Sequence, residues 1–190
     1  MKRTNCLLLL VGLIASFGST CATTVIPPTF EQLVEQAELI FQGSVTDVRS
    51  SWVGEGAQRH IVSYVSFKVE DAIKGSPGGS FTIRLLGGTV DGETMEVTDS
   101  PKFKVGDRDI LFVEHNGEQF VPLVGIMHGR FHVQHDRQSG RDIVTTGEGE
   151  PVHNVAKLGR EEEAATAAEA ISPAEFKSEI HAHLDNHPAR

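Results

Sequence analysis

Ala37–Gly75 reads AELIFQGSVTDVRSSWVGEGAQRHIVSYVSFKVEDAIKG, and two long alternations inside it decide the fold. In the first, Leu39, Phe41 and Val45 are apolar while Gln42, Ser44 and Thr46 are polar. That period of two predicts a half-buried strand over Leu39–Arg49. Gly43 has no side chain to pack, and Val48 falls on the opposite parity from Val45, so a bulge or sharp coil is expected here. In the second alternation, Ile61, Val65, Phe67, Val69 and Ile73 share one face, and Tyr64, Ser66, Lys68 and Glu70 share the other. Ser50–Arg59 reads as the flexible loop between the two strands. It holds two glycines and the only tryptophan, Trp52, which reads as a lid on the core before it reads as an exposed contact.

Further short strands come after this pair. Lys74–Gly79 is dense turn chemistry, after which Phe81, Ile83 and Leu85 alternate with Thr82 and Arg84. Met95 and Val97 mark a short strand. Asp109–Glu114 (DILFVE) carries four consecutive apolar residues, the pattern of a strand buried on both faces. Asn116-Gly117 predicts a hairpin turn into Gln119–Met127, where Pro122 calls for an edge or a bulge. Gly129–Gln134 and Arg141–Thr146 complete a last hairpin, with His132 directed to solvent because Phe131 and Val133 take the core face.

Two helices flank these strands. Thr29 with Gln32 three residues on is a capping box, and Phe30, Leu33, Val34 and Ala37 recur at helical spacing, so a helix is expected over 30–38, with Phe30 and Leu33 plugging a barrel end. Ser172, Pro173 and Glu175 open a second helix over 172–190, with Phe176, Ile180 and Leu184 as its apolar stripe. Glu148–Ile171 is poor in large apolar residues and reads as an acidic, alanine-rich linker. The expected fold is mainly β: a small closed OB-like barrel over 23–147, with a short N-terminal helix and a C-terminal helix.

Residues 1–22 read as a signal peptide. Lys2 and Arg3 precede an apolar run, Cys6–Phe17, and Thr20-x-Ala22 supplies small residues for cleavage after Ala22. The run is too short to cross a bilayer, which takes about 20 residues. Removing the leader leaves no transmembrane segment and no cysteine, since Cys6 and Cys21 both leave with it. Lipidation at Cys21 is the minority reading. The mature chain keeps 15 basic residues against 26 acidic ones, a net charge of −11 with histidines neutral. That sign argues against nucleic acid as a partner, and the whole points to a secreted or periplasmic bacterial protein.

Nine histidines invite a metal hypothesis. His128 and His132 fall on one side of an extended chain and His135 on the other; His183 and His187 share a helix face and His181 does not. Neither set has an H-E-x-x-H arrangement or a cysteine partner, so these are weak candidates only. No G-x-S-x-G elbow, S-x-x-K pair or phosphate-binding glycine loop is present. No cofactor and no enzyme class is expected.

Ala37-Glu38-Leu39-Ile40-Phe41-x-Gly43-x-Val45, then Phe67-x-Val69-x-x-x-Ile73-Lys74-Gly75, then Val105-Gly106-Asp107-x-x-Ile110-Leu111-Phe112, resemble a netrin-like module, the OB-type barrel of tissue inhibitors of metalloproteinases. The resemblance covers residues 37–113 and implies the fold. The inhibitors' amino-terminal cysteine has no counterpart in a chain starting at Thr23, so their mechanism does not carry over, and the chain is more similar to secreted bacterial proteins built on the same pattern. The leading expectation is a non-enzymatic exported binding or accessory module with a protein or other envelope ligand, contacted through Trp52, Tyr64 and Arg84. The alternatives are an inhibitor of a secreted metalloprotease and a histidine-dependent metal-binding protein or enzyme.

Overall fold

Strands β1 (Leu39–Val53) and β2 (His60–Lys74) are fifteen residues each and pair antiparallel, from Ile40 opposite Lys74 to Val53 opposite His60. A computed structural model describes residues 26–160 and 166–187 of the chain; the leader read over 1–22 lies outside them. The first four residues of the stretch expected as a loop, Ser50–Val53, are therefore strand. Ser51 opposite Val62 and Trp52 opposite Ile61 continue the ladder, and only Gly54–Arg59 turns the chain.

The expected coil of β1 is present as three steps in this ladder. Partners jump past Ile73, past Glu70 and past Thr46. Each extra residue swaps the faces of the residues beyond it. The step at Thr46 brings Val48 to the same face as Val45. The step at Glu70 carries Ile73 to the face opposite Val65, Phe67 and Val69, a correction to its expected place. Gly43 lies at the coil, where an added Cβ would come within 2.8 Å of Lys68 O.

The remaining strands are β3 (Ser80–Leu86), β4 (Gly88–Val90), β5 (Glu93–Met95), β6 (Arg108–Val113), β7 (Arg130–Asp136) and β8 (Arg141–Thr146). Among the described residues six of the eight strands form one antiparallel sheet in the order β3-β2-β1-β6-β7-β8, and β4-β5 is a separate hairpin. The sheet is open, so the expected closed barrel is not formed. The chain after β6 stands where a closing strand would run. Asn116 Oδ1 accepts from Arg84 N–H (3.0 Å), Asn116 Nδ2 donates to Thr82 O (2.9 Å), and Phe120 O accepts from Leu86 N–H (2.7 Å). Pro122 has no N–H to give, and Gly125 and Ile126 take φ of 62° and 65°. Gln119–Met127 thus contributes only a bridge, Val113 to Leu123.

Both faces of the sheet are covered at its centre. Ile40, Ile110, Phe112, Phe131, Val133 and Val144 face helices α1 (Phe30–Gln36) and α2 (Pro173–Asn186). Phe41, Val45, Phe67, Ile83, Leu111 and Val113 face the other way, under Phe103, Val121 and Leu123 from the loops. Both expected capping boxes are formed, at Thr29/Gln32 and Ser172/Glu175. Phe30 and Leu33 lie on the sheet beside α2 and do not plug a barrel end. Among the described residues no helix is long and apolar enough to cross a membrane.

The span read as a linker packs against β8 in its described parts. Thr146 N–H donates to Glu150 O, Val152 N–H to Val144 O and Val144 N–H to Ile171 O, at 2.8, 3.0 and 3.0 Å. Val152 and Val155 are buried.

Phe176 anchors α2. It is fully buried among Phe131, Phe30 and Phe112, at ring-centroid distances of 4.8, 6.1 and 6.3 Å. Phe176→Ala should lower the unfolding free energy in urea by about 3–5 kcal/mol; a loss below about 1 kcal/mol would mean that α2 contributes little to the core.

Two carboxylates tie strands together and set an acid limit. Asp142 accepts from Arg108 Nη1 (2.8 Å) and meets His135 Nδ1 (3.1 Å); these hydrogen bonds, Arg108's first, hold its carboxyl below the ordinary value. Burial raises the Glu70 carboxyl, but hydrogen bonds from Ser44 and Gln42 and the charge of Arg108 leave it below the ordinary value on balance. A folded-state value below the unfolded one, about 3.9 for Asp and 4.3 for Glu, stabilises the fold above that pH and is lost as pH falls through the lower folded-state value. The melting temperature should therefore drop on acidification below about pH 4. Asp142→Asn with Glu70→Gln should flatten that drop, and an unchanged slope would show that other groups set it.

Candidate functional site

Strand register sets Arg49 of β1, Tyr64 of β2 and Arg84 of β3 directly opposite one another. Side chains so placed share a face, with Cβ atoms about 4.5–5.5 Å apart. Val65 points into the core away from the helices, so Tyr64 points out on the helix-side face, where β3 and this part of β2 contribute nothing to the helix-side core. The next rows on that face are Asp47, Ser66 and Thr82, then Ser44, Lys68 and Ser80. Ser66 Oγ and Thr82 Oγ1 are 3.0 Å apart. Arg49 pairs with Asp47 at 2.6 Å, in the open. Among the described residues neither the Arg84 guanidinium nor the Tyr64 hydroxyl has a hydrogen bond or ion pair. The patch holds three cations, Arg49, Arg84 and Lys68, on a chain of net charge −9.

Two of the expected contacts, Tyr64 and Arg84, are therefore neighbours. Trp52 is not with them. It stands opposite Ile61 on the other face, with the Arg59 guanidinium 4.1 Å over its ring. Farther along that face a cavity of about 320 Å³ opens under the β4–β5 hairpin, walled by Val48, Val65, Leu85 and Phe103. Its polar groups are Ser50 and Ser63, whose hydroxyls are 2.9 Å apart; Ser63 Oγ also donates to Gly87 O (2.7 Å).

The histidines do not converge. Among the described residues no three His, Cys, Asp or Glu side chains come together as a metal site. His128 lines a second cavity, about 370 Å³, between Pro28 and the chain after β8. His183 and His187 stack at 4.6 Å, and His183 also packs edge-on to Phe30 at 6.2 Å. His132 is not directed to open solvent: its Nδ1 is 2.7 Å from Oδ1 of the wholly buried Asp109, and its side chain is 20% exposed.

That contact belongs to a buried charge network. Arg130 is 4% exposed and donates through Nη2 to Asp109 Oδ2 (3.0 Å) and Asp107 Oδ2 (2.8 Å), and through Nη1 to Lys102 O (2.8 Å). Its guanidinium lies 3.9 Å over the Phe103 ring. Asp109, Arg130 and His132 alternate with Ile110, Phe131 and Val133, so all three point to the face away from the helices. With Nδ1 facing a carboxylate, the histidine proton is placed on that nitrogen and Nε2 faces outward. Among the described residues no hydroxyl or thiol hydrogen-bonds Nε2.

No known family model matches this chain, and no curated protein matches it.

Asp109→Ala should destabilise the protein by about 1–3 kcal/mol in urea, because Arg130 and His132 each lose a hydrogen-bonded carboxylate at a buried position while Arg130 keeps Asp107. A cost under about 1 kcal/mol would show that water reaches the network.

Proposed function

We propose that this chain is an exported, non-enzymatic binding module that takes an acidic segment of a partner protein on the open face of β1, β2 and β3. The row Arg49–Tyr64–Arg84 carries the reading. Two guanidiniums flank one phenol ring on a rigid sheet, so a carboxylate-bearing chain laid across the strands meets both charges, and its apolar atoms rest on the ring. Rigid strands cost little ordering on binding. An uncompensated cation on an acidic protein selects anionic ligands over the bulk of its own surface.

Export rests on the leader pattern and on the cysteine-free sequence after it. The netrin-like resemblance is of the same kind: Gly43, Lys74-Gly75 and Gly106-Asp107, which carry it, fall at the coil of β1, the end of β2 and the turn before β6.

A fluorescein-labelled hexaglutamate peptide titrated with the protein at low salt tests the reading by anisotropy. Saturable binding is expected, weakening as salt is added. Arg84→Glu and Tyr64→Ala should each weaken it about tenfold, equivalent to about 1.4 kcal/mol. The same affinity in Arg84→Glu as in the unaltered protein, or no saturation at about 1 mM protein, a range that covers even weak contacts, would overturn it.

A further inference from the structure

We infer that two copies of this chain pair edge to edge along β1, antiparallel and centred on Val48. The pairing of β1 with β6 ends where Ser44 faces Arg108. Val45 then exchanges backbone bonds with Gly106 and Asp107, at 2.9 and 2.8 Å. From Thr46 to Val53, β1 is hydrogen-bonded to β2 alone among the described residues, and its other edge carries no ladder. An uncovered row of N–H and C=O groups is a template for another strand. The two outermost strands are not left so. β3 is covered by Asn116 and Phe120, and β8 by Glu150, Val152 and Ile171.

The occupant is named by the residues on that edge. In Asp47-Val48-Arg49, an antiparallel pairing about a two-fold axis through Val48, normal to the sheet, sets Asp47 opposite Arg49 of the second copy. It sets Arg49 opposite the second copy's Asp47 as well. Directly opposite residues share a face, where opposite charges attract and like charges repel. Centring on Arg49 instead would set arginine against arginine, and centring on Asp47 would set aspartate against aspartate. The charges therefore choose one register. Val48, 37% exposed and among the few large apolar side chains left in the open, meets its own copy on the axis. In one copy Asp47 and Arg49 have, among the described residues, only each other as ion-pair partners, with side chains 46% and 73% exposed. The two-fold exchange keeps that attraction and adds a strand ladder, an isologous interface. It also joins the two open sheet faces into one, with Asp47 of each copy extending the Arg49–Tyr64–Arg84 row of the other. Arg49 belongs to both readings, but the inference does not depend on the proposed ligand, because its test measures the mass of the protein alone.

Sedimentation equilibrium of the protein at about 100 µM, well above micromolar dissociation constants, should give twice the monomer mass. Asp47→Arg and Arg49→Asp should each shift the protein to monomer, since each sets like charges face to face. The double exchange, Asp47→Arg with Arg49→Asp, should restore the dimer, which no loss of folding could imitate. Circular dichroism of each variant should match the unaltered protein. A monomer at that concentration would overturn the inference. So would a dimer that survives both single changes, since its contact would lie elsewhere, or a double exchange that stays monomeric while folded.

Discussion

Strand β6 is buried on both sides, and the rest of the molecule is arranged to keep it dry. Ile110 and Phe112 enter the helix-side core, while Leu111 and Val113 enter the opposite one. Neither layer can be lost without wetting half of the strand. Burial of a large aliphatic or aromatic side chain contributes about 1.5–3 kcal/mol, and β6 presents four in succession. That concentration accounts for helices on one face and a folded-over loop, Val121–Leu123, on the other.

The same strand begins with a charge that must be answered. Asp109 continues the Leu111–Val113 face to the point where the apolar cover gives out, and Arg130 and His132 meet it from β7. A lone buried carboxylate would cost several kcal/mol, so pairing and hydrogen bonding are required there. The network lies on the β6–β7 side of the sheet, and β2 lies beyond β1. Between them β1 coils through Gly43 and Thr46, which lets one strand serve β6 over its first half and β2 over its whole length.

The features legible in the amino acids were those that depend on near neighbours. Thr29/Gln32 and Ser172/Glu175 announce their helices because a cap is completed within four residues. Leu39, Phe41 and Val45 show a strand because alternation is local, and Ile110–Val113 show two-sided burial by their unbroken apolarity. Closure was misjudged because it turns on Asn116 reaching Thr82 and Arg84, residues more than thirty positions away. Ile73 lies on the face opposite to the one its alternation predicts because a bulge at Glu70, invisible to a count of two, intervenes. The Asp109–Arg130–His132 network was missed because its members lie over twenty residues apart and become neighbours only through strand pairing. An arginine alternating with a histidine beside two buried apolar residues was the one trace it left. Glu148–Ile171 looks like a linker in the amino acids because Val152 and Val155 are too few to show a period.

The pairing of β1 also has a consequence in time. Val53 meets His60 only seven residues on, whereas Leu39 meets Val113 after 74. Closing the short loop costs little chain entropy, and the long one must wait until most of the polypeptide is present and compact. The β1–β2 ribbon thus forms early, and the half of β1 that β6 will occupy stays bare meanwhile. Folding of this chain is then a race between its own sixth strand and any stranger that reaches the vacant ladder first.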